Sequence, residues 1–288
     1  GGSITTGQSN TLIGGLAGDA LTDADSNTAV GQSALGADTL GSNSTALGAG
    51  ALQAQNFTTA TVCHNTAVGA YAGASITTGT LNTFIGSQAG IFATTSVGSC
   101  FVGNSAGLGI TGTKLTGNGN VAIGNEAGLK LQGAANLNTL VGANCGDAIT
   151  VGTGNVAMGY LALSTDTGGQ ESVAIGTQAL RDQNFSSGTR PANIGVGLNA
   201  GMSITSGINN TIMGTFAGDA LTDADDNVVI GTTALSDDTK GNRSIAIGRD
   251  ALRYQNFTTS TNSYNIAIGY AAGIEVTTGT ENTFIGSL

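Results

Sequence analysis

One proline, one histidine, three cysteines, eight basic residues and no tryptophan occur among 288 residues, and each scarcity excludes something. A single proline, Pro191, removes collagen despite 48 glycines, because the triple helix needs glycine at every third position with abundant proline. Charged residues are only 9% and hydrophobic ones 40%, the reverse of a disordered segment. The net charge is −10 and no basic residue precedes Lys114, which argues against nucleic acid, since neutralising phosphates takes clustered Lys and Arg. No run of about 20 apolar residues is present, so membrane insertion by a spanning helix is not expected. His64 alone cannot build a histidine metal or acid–base cluster within one chain. Cys63, Cys100 and Cys145 lack Cys-x-x-Cys spacing and stand where other repeats place small or β-branched residues, so they are expected to be packing residues. The chain begins with Gly1 and shows no signal peptide, so it is expected to be processed or part of a longer protein.

What the sequence has in plenty is arranged periodically. An aliphatic residue followed by glycine recurs sixteen times in one register, at Gly14, Gly31, Gly48, Gly69, Gly86, Gly103, Gly124, Gly142, Gly159, Gly176, Gly197, Gly214, Gly231, Gly248, Gly269 and Gly286. Ten of the steps are 17 residues, four are 21 and one is 18. A fixed period near 20 residues marks a solenoid. Four positions before the glycine stands Asn10, Asn27, Asn65, Asn82, Asn120, Asn138, Asn155, Asn193, Asn210, Asn227, Asn265 or Asn282, with Ser44, Ser99, Ser172 and Ser244 in the other four repeats. Three positions before it the residue is β-branched except at Cys100, and three after it alanine stands in fourteen of fifteen repeats, with Cys145 the exception. This pattern predicts a short strand of β-branched residues, a turn closed by glycine, and alanine that lets coils stack closely. The asparagines predict a stacked amide ladder that satisfies turn backbone groups.

Residues 1–88 align with 201–288 without a gap, and 50 of the 88 positions are identical, so the chain carries an internal duplication. Four positions after the glycine, leucine occurs in pairs of consecutive repeats (Leu35/Leu52, Leu163/Leu180, Leu235/Leu252) and glycine elsewhere. After each pair comes a 21-residue step containing Gln-Asn-Phe, expected to bulge as a loop on one edge. A repeat such as 27–43 has only Val30, Leu35 and Leu40 as large aliphatics, which at about 1.5–3 kcal/mol each barely offset the ordering of the coil. Burial against partner chains would help, and sixteen coils at about 4.8 Å would make a rod roughly 75 Å long.

The units Asn27-Thr28-Ala29-Val30-Gly31, Ser172-Val173-Ala174-Ile175-Gly176 and Asn265-Ile266-Ala267-Ile268-Gly269 resemble the head repeats of YadA-type trimeric autotransporter adhesins. They are also similar to Asn-Thr-Ala-Val/Ile-Gly arrays of bacteriophage tail-fibre-like proteins. The resemblance implies an all-β, left-handed parallel β-roll with three chains side by side, and an adhesive or fibre role outside the cell or on a virion surface. The adhesin repeat is shorter, near 14 residues, and no anchor, coiled-coil stalk or chaperone domain is in view, so the phage-fibre side is favoured.

Candidate sites are few. Phe57, Phe185 and Phe257 lie in the long inserts and are candidates for loop recognition, the alternative being that the rings fold back into the coil. Asp23 and Asp25, repeated as Asp223 and Asp225, are a calcium candidate because closely spaced carboxylates suit that ion, although the glycine and late glutamate of an EF-hand loop are missing. No cofactor and no catalytic residue is expected: one strand per coil resembles a hexapeptide acyltransferase, but the catalytic histidine scaffold is absent. Threonines such as Thr77, Thr78, Thr80 and Thr277, Thr278, Thr280 suggest ice binding as a minor reading. The expectation is a single repetitive solenoid over 1–288, self-associating as a homotrimer or filament, that supports attachment to a host surface glycan or protein.

Overall fold

A computed structural model describes all 288 residues, Gly1 to Leu288. It contains no helix, only short strands joined by turns, and the chain gathers into two compact units, residues 1–143 and 144–288. Each unit is a parallel β-solenoid of eight turns, about sixteen in all. In the first, strands Thr11–Ile13, Thr28–Val30, Thr45–Leu47, Thr66–Val68, Thr83–Ile85, Cys100–Val102, Val121–Ile123 and Thr139–Val141 stack in register. In the second, Val156–Met158, Val173–Ile175, Ile194–Val196, Thr211–Met213, Val228–Ile230, Ile245–Ile247, Ile266–Ile268 and Thr283–Ile285 do the same.

The three-residue strand follows from alternation. Its middle residue turns inward, as Ala46 and Phe84 do with no exposed surface, while the flanking residues turn outward. The glycine that follows has φ between +127° and +139° in all sixteen repeats, backbone that a side chain opposes. At fourteen of the sixteen a Cβ would also fall within 3.0 Å of the carbonyl of the next turn's glycine. Glycine is therefore demanded twice, by the dihedral and by the stacking distance.

The core fills by a substitution between two slots. The fourth residue after each glycine is left-handed, whether it is Gly18 (φ 52°) or Leu35 (φ 52°). Where it is glycine, the residue three further on is apolar and in most coils buried, as with Gly18/Leu21 and Gly128/Leu131. Where it is leucine, that later residue is Asp38, Gln55, Asp166, Gln183, Asp238 or Gln255, and all six are buried. Holding leucine in a left-handed conformation costs about 1–2 kcal/mol, and burying it completely returns about 1.5–3 kcal/mol.

The inserts are not simple bulges. Gln55, Phe57 and Cys63 are buried, Asn56, Thr58 to Ala60 and Val62 are exposed between them, and Thr61–Val62 pairs in parallel with Gly41–Ser42. Thr261–Asn262 pairs with Gly241–Asn242 in the same way. The extra four residues wrap one more short strand onto the coil, and Thr45–Leu47 still meets Thr66–Val68 without a register break.

Candidate functional site

The ladder asparagines link each turn to the next. Ten of the twelve donate their Nδ2 to a backbone carbonyl 14 or 15 residues ahead, in the following turn. The same ten accept, on Oδ1, the N–H of the next ladder residue. Asn82 shows the geometry: Nδ2 reaches Ser96 O at 2.7 Å and Oδ1 receives Ser99 N at 2.9 Å, with the side chain wholly buried. Each amide thereby satisfies one donor and one acceptor that the turn would otherwise bury unpaired.

The four serines in this ladder all precede the four 21-residue steps. Behind Ser44, the amide of Gln55 enters the space the shorter side chain leaves. Its Nε2 donates to Ser44 Oγ at 3.0 Å and to Asp38 Oδ2 at 2.6 Å, and its Oε1 accepts from Asn65 Nδ2 at 2.9 Å. Asp38 Oδ1 accepts from Gly41 N and Phe57 N. The set recurs as Asp166–Gln183–Ser172–Asn193 and as Asp238–Gln255–Ser244–Asn265. The fourth serine, Ser99, instead shares a hydrogen bond with Ser96 Oγ at 2.8 Å. These networks were missed by sequence reasoning, which treats Asp and Gln as surface residues; the coincidence of Leu, Asp or Gln, and Ser at fixed spacings was the available signal.

The three aspartates face only N–H donors. For Asp238 these are Gln255, Phe257, Gly241 and Lys240 N–H groups, and burial nevertheless pushes its carboxyl above the usual carboxylate range. Beside Asp38, burial and then the neighbouring negative charge push the Cys63 thiol up to about 11. Cys145 is also buried, while Cys100 sits half-buried on the outward side of its strand and His64 is exposed.

Two sequence candidates are corrected. Phe57, Phe185 and Phe257 are 6%, 8% and 6% exposed, so the rings fold into the coil and offer no recognition surface. The backbone N–H of each is tied to the buried aspartate, which draws the ring inward. The acidic turns gather no cation site: no group of three or more His, Cys, Asp or Glu side chains is placed to hold a metal. Asp23 accepts the Thr5 and Thr6 hydroxyls at 2.6 Å, which hold its carboxyl below the usual range, and Asp25 accepts Gln8 N. Asp223 lies 3.5 Å from Lys240 Nζ and Asp225 accepts Ile208 N.

The outward sides of the strands form a regular surface. In the first unit Thr11, Thr28, Thr45, Thr66 and Thr83 make an in-register column beside Ile13, Val30, Leu47, Val68 and Ile85. The threonines at 77–80 and 277–280 lie in turns instead. In the second unit both outward positions are mostly aliphatic, as in Val156/Met158, Val173/Ile175, Ile194/Val196, Ile245/Ile247 and Ile266/Ile268, with Met158 at 42% and Ile268 at 39% exposure. The last of these pairs are flanked by cation–π stacks, Arg243 over Tyr264 at 5.7 Å and Arg249 over Tyr270 at 6.0 Å.

Fold and ladders together define the class, a parallel β-solenoid whose turns are joined by buried side-chain amides. No protein-family model matches this chain, and no curated protein matches it.

Proposed function

We propose that this chain is a non-enzymatic structural segment of an extracellular or virion-borne fibre, of the kind its likeness to YadA-type head repeats and phage tail fibres implies, associating side by side as a homotrimer and supporting attachment to a host surface. The observation that carries the reading is the outward double row of aliphatic side chains in residues 144–288. Eight turns at about 4.8 Å and two side chains across give a mostly apolar strip of about 400 Å², within the roughly 300–600 Å² of the largest exposed patch on a monomer, a patch that is often functional. Strand ladders without helices or wide loops suit a stiff spacer, and the buried amides suit resistance to local opening.

The test is the mass in solution. Light scattering should give about three times the chain mass of 28.1 kDa, and Ile247→Lys with Ile268→Lys, both on outward positions, should return it to the monomer without loss of the fold. A wild-type mass of 28.1 kDa sinks the trimer, and a concentration-dependent, open-ended mass favours a self-assembling surface or matrix filament instead. The threonine column over five consecutive turns of the first unit, Thr11 to Thr83, favours ice binding as a second reading. Thermal hysteresis that disappears in Thr45→Lys would support it.

A further inference from the structure

The duplication supplies an internal comparison that singles out a groove. Among the turns of the first unit, a hollow of about 460 Å³ is bounded by Leu16, Asp19, Ser33, Gly36, Gln53 and Ala54. A smaller hollow of about 200 Å³ shares Ser33 and Gln53 with it and ends at Gln32 and Tyr71. The larger volume alone lies within the roughly 300–1,000 Å³ of small-molecule sites.

In the second copy almost every equivalent position carries a larger residue. Gly36 corresponds to Ser236, Ala37 to Asp237, Gln53 to Arg253, Ala54 to Tyr254 and Ala74 to Ile274, while the acid is kept as Asp219. There Arg253 stacks on Tyr254 at 5.4 Å and pairs with Asp250 at 3.2 Å, so the space is occupied. Asp219 beneath it has a buried Oδ1 without a partner, and burial raises its pKa. The open groove thus results from small residues placed together in one copy, on a scaffold that equally tolerates filling.

Its lining is chemically selective. The Gln32 and Gln53 amides and the Ser33 hydroxyl have no intramolecular partner, and the Asp19 carboxylate takes a bond of 3.3 Å from Gly2 N. Tyr71 is 48% exposed, and its ring lies where a Cβ on Gly50 would stand, so that glycine, at φ +66°, seats the ring at the groove's end. The second copy has Asp250 and Ala271 at these two places. Donors and acceptors line the groove between the exposed Leu16 at one end and the Tyr71 ring at the other, no lining residue is cationic, and the one charge is negative. From this we infer that the groove binds a neutral oligosaccharide running across the turns: amides and carboxylate take its hydroxyls, and Leu16 and Tyr71, three turns apart, take the C–H faces of different rings. A sugar acid or phosphate meets Asp19 without a counter-charge.

This inference rests on the attachment reading for its context, but the measurements separate the two, because solution mass reads assembly and saccharide titration reads the groove. Saturation-transfer NMR and titration with cellobiose, maltotriose and chitotriose, alongside sialyllactose and glucosamine, are the assay. The expected result is binding of at least one neutral oligosaccharide. It should weaken at least tenfold in Gln53→Arg/Ala54→Tyr and in Tyr71→Ala, with melting temperatures unchanged because the second copy already carries those residues. The inference is overturned by no binding of any neutral saccharide, by preference for sialyllactose or glucosamine, or by undiminished binding in the filled variant.

Discussion

Gln55 Nε2 lies 2.6 Å from Asp38 Oδ2 with both side chains wholly buried, so the first long coil is held by a carboxyl group that meets only N–H donors. The same 2.6 Å contact joins Gln183 to Asp166 and Gln255 to Asp238. Replacing Asp38 by Asn turns an acceptor into a second NH₂ facing Gln55, which cannot invert because its Oε1 already serves Asn65. Asp38→Asn should lower unfolding stability by about 1–3 kcal/mol, read from the urea midpoint. A double cycle with Gln55→Leu should show strong coupling.

Acid response separates two aspartates by sign. Burial raises the folded pKa of Asp238, so its contribution is full below the unfolded value of 3.8 and is lost as pH rises through the folded one. Asp23, lowered by Thr5 and Thr6, contributes above 3.8 and loses that contribution as pH falls through its folded value. The stability gap between wild type and Asp238→Asn should therefore widen from pH 7 to pH 4. For Asp23→Asn the gap should hold from pH 7 to pH 4 and shrink only below it. Urea midpoints across the range decide both.

Strand-ending and free-standing glycines should behave oppositely. Gly86→Ala places a Cβ against the Gly103 carbonyl at φ +133° and should cost about 3 kcal/mol or more. Gly15 has open space around its missing Cβ and no positive φ, so Gly15→Ala should be neutral or stabilise by up to about 1 kcal/mol. Thermal melts of the two variants test the stacking argument directly.

Asn82 is the cleanest ladder residue to remove. Asn82→Ala strands Ser96 O and Ser99 N in the interior and should cost about 2–4 kcal/mol. Asn82→Ser should cost nearly as much, because no glutamine follows to replace the amide as Gln55 does behind Ser44.

With its pKa near 11 and no exposed surface, Cys63 should resist a disulfide reagent at neutral pH until the chain unfolds. Thiol titration of native and urea-unfolded protein checks this, and rapid native labelling of a Cys100→Ser/Cys145→Ser variant would contradict it.

The repeat register, the strands and the turn glycines were legible in the sequence because each coil imposes the same stereochemical demand, and sixteen repetitions make it visible. The fate of Phe57 and Gln55 was less legible. Gln55 is of a residue type that usually faces water and Phe57 stands in an insert, and only the pairing of Leu35 and Leu52 with polar residues three places later reveals that core and network exchange slots. The groove at Asp19 and Gln53 was invisible for another reason. It is defined by what Gly36, Ala37, Ala54 and Ala74 leave empty, and a missing side chain is conspicuous only beside Tyr254 and Ile274, where the space is filled.

Because the Asn82 amide reaches only the coils directly before and after it and the Gly103 carbonyl stacks on Gly86 of the adjacent coil, no turn depends on any turn beyond its neighbours. Length is then free to vary: recombination can insert or delete whole coils of 17 residues, or blocks of eleven, without redesigning those that remain, so reach could be tuned in evolution while surface chemistry is changed one coil at a time.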